Sequence, residues 1–342
     1  MAQPYQADII NEVSRERKRP EYEVNETPLT SKSPPRWLHR WAVVTVCATF
    51  VLLFLGAVVT TFRVGMADPI WPTFPWHLLL ISWDEPSPGF LIEHSHRLAG
   101  YVVGCCVIVL AVGLSRLDPR LWVRRLGMLA LLGVIVQGLL GGFRVKLNAL
   151  LGTDLALIHG CFAQVVFAVL VSLALVTSPR WTAGSARIDQ HAGGLKRWAI
   201  FTTALIYLQI VLGASMRHTY LVAGQRGHLL VAFATVAAFV WLFKLVLEDK
   251  DRTLLGPVLL LGGFLLLQVV LGVETWIMRF AAGPVELQEQ ISIQQATVRT
   301  AHVLTGFCIL ATSVAISLRV HWQLGAKVSP TPDPAGHLEG VA

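Results

Sequence analysis

FLIEHSHRLAGYVVG, residues 90–104, places a carboxylate, two histidines and an arginine within five positions at the head of an apolar run. Read as the mouth of a hydrophobic helix, that stretch decides the class of fold. The rest of the 342 residues agree: 54% are hydrophobic and only 14% charged, and the mean hydropathy is +0.59. A helix that crosses a hydrocarbon core of about 30 Å needs about 20 apolar residues. Eight runs approach that length: Trp41–Thr60, Leu91–Leu114, Leu126–Leu140, Leu155–Val176, Trp198–Ala214, His228–Val246, Leu254–Ile277 and Ala301–Leu318. The third and fifth are short. The expected fold class is therefore an all-α membrane protein of eight transmembrane helices.

Basic residues orient the chain. With the N-terminus inside, inner segments hold 20 of the 28 Lys and Arg, the bias that keeps positive loops in the cytoplasm. Both termini are expected there. The net charge of +7 is accounted for by anionic lipid head groups, so the bilayer is a partner and no nucleic acid is required. Residues 1–40, with RERKRPEYE and TSKSPP, are polar and read as a disordered cytoplasmic tail. Their six acidic residues argue against a mitochondrial leader, which favours a bacterial plasma membrane. Residues 323–342 read as a second tail. All five cysteines (Cys47, Cys105, Cys106, Cys161, Cys308) fall inside spans and are expected to pack as small hydrophobes.

The spans repeat. The third ends QGLLGGFR (137–144), the fifth ends QIVLGASMR (209–217), and the seventh carries QVVLGVETWIMR (268–279); the first has LLFLGAVVTTFR (52–63), with Leu52 in place of the glutamine. Even spans carry a histidine at or near their outer end: His96, His159, His228 and His302. The simplest architecture is two pseudo-symmetric four-helix bundles, residues 41–178 and 198–322, joined by a cytoplasmic linker at 179–197. Because the first and fifth spans both enter from the cytoplasm, the halves are parallel repeats about an axis along the membrane normal.

Polar groups at membrane depth are costly, so intramembrane histidines are functional candidates. One alone could be a ring hydrogen-bonded to a neighbouring carbonyl; four at equivalent positions and one level point to a shared purpose. Imidazole is the commonest protein metal ligand, and a haem iron takes axial ligands on both faces. Two even helices per half can clamp a porphyrin in a bundle core. Small neighbours (Ala99, Gly100, Gly104, Gly160, Ala232, Gly306) leave room for a flat macrocycle, or simply suit helix packing. Di-iron carboxylate, histidine-box and HExxH zinc sites fit the chain less well.

One histidine differs. Glu93 precedes His96 by three residues and shares its helix face; the same offset gives Ala156, Gln225 and Arg299 before the others. Glu93 reads either as a carboxylate that exchanges protons beside a haem or as the ion-pair partner of Arg97.

E-x-x-H-R at the outer start of the second span, with histidines opening the fourth, sixth and eighth, resembles heme A synthase. GAVVTTFRVGMADPIWPT (56–73), with its Trp71–Pro72 pair, resembles that family's first outer loop. The resemblance covers about Trp41–Val320. It implies an oxidoreductase that converts the C8 methyl of heme O to a formyl group by successive hydroxylations, giving heme A for cytochrome oxidase. It implies that His96 and His159 flank the substrate heme O, with Glu93 essential, and that His228 and His302 ligate a heme b that passes electrons, with the haem sites near the outer face. Arg97 would bind a substrate-haem propionate or reach lipid phosphate, and Arg63, Arg144, Arg217, Arg226, Arg279 and Arg299 carry the same two readings. An electron donor, a heme O synthase as supplier and a second copy of the chain are the remaining candidate partners. Asp68 and Phe74 stand where many members carry a cysteine pair, which suggests a cysteine-free branch. The rival readings are a non-catalytic dihaem cytochrome b and, more remotely, a transporter.

Overall fold

The computed structural model describes residues 34–68, 70, 79, 87–183, 187–188, 192–218, 222–249, 252–280 and 291–325. Residues 1–33 and 326–342 of the two expected tails, the Trp71–Pro72 pair and Phe74 lie outside them. Eight long helices run α1 (Arg36–Thr61), α2 (Pro88–Leu117), α3 (Leu121–Lys146), α4 (Asp154–Val176), α5 (Ala192–His218), α6 (Val222–Glu248), α7 (Leu255–Phe280) and α8 (Ile293–Gln323). All eight are long and apolar enough to cross a membrane.

The third and fifth helices, expected to be short, have 26 and 27 residues. Hydropathy stops at Arg124 and Arg125, at Arg144, and at Lys196 and Arg197, but helical hydrogen bonding does not. Long basic side chains continue a helix into the interface while their charge reaches out of the hydrocarbon. Starts and stops follow local chemistry. Ser87 caps α2 by accepting from Phe90 N at 3.2 Å, with Pro88 at the first helical position. Asp118, fully buried, closes the α2–α3 turn: its Oδ1 accepts from Arg120 N at 2.9 Å. Arg120 in turn donates through Nη1 to Val176 O at 2.9 Å, satisfying a last-turn carbonyl of α4. At the far end, Gly152 adopts φ +54° to turn the chain into α4.

Helices adjacent in sequence pack as neighbours throughout; α1 also meets α4, and α5 also meets α8. The remaining contacts run from α8 to α4 and α1, and from α4 to α5. One apolar core holds Leu38, Leu110, Leu114, Val123, Leu170 and Leu173 of α1–α4. A second holds Leu195, Leu242, Leu261, Leu310 and Ile316 of α5–α8. Leu53, Phe167 and Phe307 join α1, α4 and α8. Outward faces are apolar too, with Leu230, Phe233 and Leu266 each 69% exposed. Water does not tolerate so much open hydrocarbon, whereas lipid does. Hydroxyls inside the helices bond backward along their own chain, as Thr49 Oγ1 does to Thr45 O at 2.7 Å. None of the five cysteines is fully buried, and Cys47 and Cys105 are exposed. Those two therefore do not pack as interior residues; both stand on apolar outward faces.

The segments that follow α4 and α8 meet on one side. Trp181 stacks on Trp322 with ring centroids 4.7 Å apart, and Arg187–Ile188 pairs in parallel with Leu324–Gly325. On the opposite side Thr153 Oγ1 donates to His218 O at 2.6 Å.

Candidate functional site

Each of the four histidines lies against a glycine of the preceding helix. A Cβ added at Gly56 of α1 would stand 3.0 Å from Cε1 of His96 on α2. The meeting recurs at 3.3 Å for Gly141 with His159, 3.0 Å for Gly213 with His228 and 3.2 Å for Gly272 with His302. These are the glycines of the odd-span repeat. The two patterns, one in odd spans and one in even spans, are thus two sides of a single contact. A larger residue would push each ring away from its place.

The ring nitrogens are oriented as well. His96 Nδ1 donates to Leu52 O at 3.2 Å, and His228 Nδ1 donates to Gln209 O at 3.1 Å. A carbonyl can only accept, so each Nδ1 holds the proton and each Nε2 keeps its lone pair, the arrangement found behind metal-ligating imidazoles. His159 Nδ1 lies 3.1 Å from Gln137 Nε2, which also donates to His159 O at 2.8 Å. His302 Nε2 lies 3.2 Å from Gln268 Nε2, and its Nδ1 is buried without a partner. Such an orphan is costly unless a ligand meets it. His302 thus has one nitrogen held by the protein and one left over.

The second pair has the spacing of an iron site. The rings of His228 and His302 have centroids 6.4 Å apart with planes at 67°. Two imidazoles on opposite faces of a metal, with metal–nitrogen bonds of about 2 Å as at zinc, put their centroids a little over 6 Å apart. Among the described residues no three His, Cys, Asp or Glu come together for a bare metal ion. A pair of imidazoles, glycine-seated and with a free nitrogen to offer, fits the axial demand of a haem. His96 and His159, the first pair, have the same glycine seats.

Among the described residues, the first pair alone has an acid cluster. Glu93, 4% exposed, uses both oxygens: Oε1 accepts from Arg97 Nη2 at 2.8 Å and Oε2 from Asp68 N at 2.8 Å. Asp68, fully buried, pairs through Oδ2 with Arg97 Nη1 at 3.0 Å and with His94 Nδ1 at 3.3 Å. Arg97 also donates to the carbonyls of Asp68 and Ile70. Arg144 of α3, whose guanidinium occupies the space a side chain at Gly65 would need, lies within range of the Glu93 charge. The two donors hold the carboxylate in a fixed position. The Glu93–Arg97 ion pair exists and is one edge of a larger ring. Arg97 spends its donors on Glu93, Asp68 and loop carbonyls.

Asp68 was legible only as a residue standing in a cysteine's place; its bonds to Glu93 and Arg97 cross 25 and 29 residues of chain and depend on the loop's path. The glutamines and glycines were visible as a repeat but not as the furniture of the histidines. Their spacing, Gln-x-x-x-Gly, was the available signal.

The class that fold and site define is a polytopic helical membrane protein in which a histidine of every second helix lies against a glycine of the helix before it. The family model COX15-CtaA, described as cytochrome oxidase assembly protein, matches residues 72–225. Curated relatives named Heme A synthase include those of Shouchella clausii, 29% identical over 53% of this chain and 60% of that protein, and Lysinibacillus sphaericus, 30% identical over 54% and 59%. A Listeria monocytogenes relative of the same name is 28% identical over 54% and 59%. The chain thus spans about 60% of the length of the relatives it matches. Together these similarities support the heme A synthase family, and eight apolar helices with bacterial relatives mark a multi-pass bacterial membrane protein.

Proposed function

We propose that the chain is a heme A synthase, oxidising the C8 methyl of heme O to a formyl group. The observation that carries this is the asymmetry of the site: four histidines share one glycine-seated geometry, and among the described residues only His96 has an anchored carboxylate beside it. A pure electron carrier has no use for that difference.

In this reading α1–α4 and α5–α8 form two four-helix halves. His96 and His159 hold the substrate haem, with Glu93 as the catalytic carboxylate near its reacting edge. His228 and His302 hold a heme b, which supplies one-electron transfer when bound. The chain's own groups then have distinct tasks. Leu52 O and Gln209 O keep Nε2 of His96 and His228 available. Glu93 presents a carboxylate held in one place, which can receive a proton released at the substrate. Arg97 and Asp68 hold Glu93 in position, so Arg97 acts through the carboxylate rather than on a propionate. The inner side is the face where α4 and α8 end, consistent with cytoplasmic termini and with haem sites toward the outer face.

Purification in mild detergent, followed by haem extraction and chromatography, tests the reading. Heme B together with heme O, heme A or a hydroxylated intermediate is the expected content. Heme B alone, from a host that makes heme O, would instead identify a dihaem cytochrome. A folded preparation with no haem would overturn both.

A further inference from the structure

Arg217, near the outer end of α5, is a motif arginine with its bonds drawn into the helix packing. Its Nη2 donates to Ala57 O at 3.1 Å and to Thr61 Oγ1 at 2.5 Å, both on α1. Thr61 is buried and lies 3.3 Å from Thr300 Oγ1, also buried, on α8. A snorkelling arginine extends toward the head groups; this one turns inward, to a carbonyl one turn inside the end of α1.

The surroundings are what a carboxylate ligand would require. Ala57 follows Gly56, the seat of His96; Gly213, the seat of His228, lies one turn before Arg217; and Thr300 stands two residues before His302. Arg217 therefore borders both histidine pairs. Its partners are neutral, and no described carboxylate is within ion-pair distance of it, whereas Arg97 has two and Arg120 one. The charge that acts on it is another cation, Arg299. A guanidinium is always protonated and offers five N–H groups, and an uncompensated charge within helix packing is costly. Among the described residues no anion meets the Arg217 guanidinium.

We propose that Arg217 is a carboxylate-binding subsite that takes a propionate of a haem held by one of the two histidine pairs. The subsite rests on the haem-binding reading above. Its fork suits a carboxylate bidentately, and its place between the pairs lets it serve a haem in either. The same guanidinium also ties α5 to α1, so a propionate on it would brace the two helices where the pairs meet.

The test compares protohaem with its dimethyl ester, whose propionates carry no charge. Each is titrated into the full chain purified from a haem-deficient host, with binding read from the Soret band. Wild type should prefer the free acid by roughly tenfold to a hundredfold, the weight of one charge-assisted pair. Arg217→Leu should bring the ratio toward unity and Arg217→Lys should keep part of it. Because the ratio is taken within each variant, a general loss of affinity does not mimic the result. Arg217→Gln, which can still donate to Ala57 and Thr61, replaces the leucine variant if that fails to fold. In a His302→Ala background, disappearance of the Arg217 effect assigns the subsite to the α6–α8 haem, and its persistence to the haem of His96 and His159. A wild-type ratio retained in Arg217→Leu overturns the subsite and leaves haem binding standing; if that variant instead loses affinity for anionic vesicles, lipid phosphate is the anion. Failure of wild type to bind either porphyrin overturns the haem reading itself.

Discussion

The two histidine pairs share a scaffold and differ in what surrounds it. His228 and His302 face each other at 6.4 Å, seated by Gly213 and Gly272 and steadied by Gln209 and Gln268. No acid stands among their recorded partners. His96 and His159 have the same seats, and beside them lies the ring of Glu93, Asp68, Arg97 and His94. A repeat held constant in its glycines and histidines, and varied in its carboxylates, separates what holds a ligand from what acts on it. In the proposed reading, retention is common to both pairs and chemistry belongs to one.

The sharpest way to break that contrast is Glu93→Ala. Conversion of heme O should fall below detection, while heme B content and its reversible reduction stay as in wild type. Chromatography of extracted haems with a reduced-minus-oxidised spectrum checks both at once, and retained conversion would return Glu93 to a purely structural role. Next in size is His228→Ala, which should abolish the low-spin spectrum of heme b and, with it, sustained turnover. Gly213→Leu should approach the same loss without touching a ligand, because its Cβ alone would stand 3.0 Å from the His228 ring; absorption spectra report it. Asp68→Asn removes one of the two carboxylates about Arg97 and should lower turnover by about tenfold, in line with a single charge-assisted bond, at unchanged haem content. The smallest effect is expected from Gln268→Leu, which should weaken haem b binding about tenfold, the lower end for a group behind a metal ligand.

Much of this was legible in the chain itself, for a physical reason. Spans announce themselves because hydrocarbon admits only long apolar helices, and the histidines stand out because polar groups at that depth are rare. The helix ends at Leu121 and Ala192 were not legible, since hydropathy falls at a basic residue before the helix does. The contact of His96 with Gly56, one helix away, was not legible either, because a ring on an even helix points across the interface and not along its own backbone. The partnership of Asp68 with Glu93 depends on how the chain leaves α1, where Arg63 takes φ 57°, and no local pattern encodes that route.

The glycine seats also bear on biogenesis. Each seat and its histidine belong to one hairpin of consecutive helices, so the seat is complete as soon as the second helix of that hairpin has entered the membrane. Each proposed haem, however, needs a histidine from two hairpins. A nascent chain inserted through α2 carries an oriented imidazole with no partner across from it, and the first pocket closes only when α4 arrives. The second closes only with α8, the last helix of the eight to be synthesised. In the proposed reading, haem loading of the second pair would wait for α8, and a chain cut short within α8 would present a finished first pocket with the second still open.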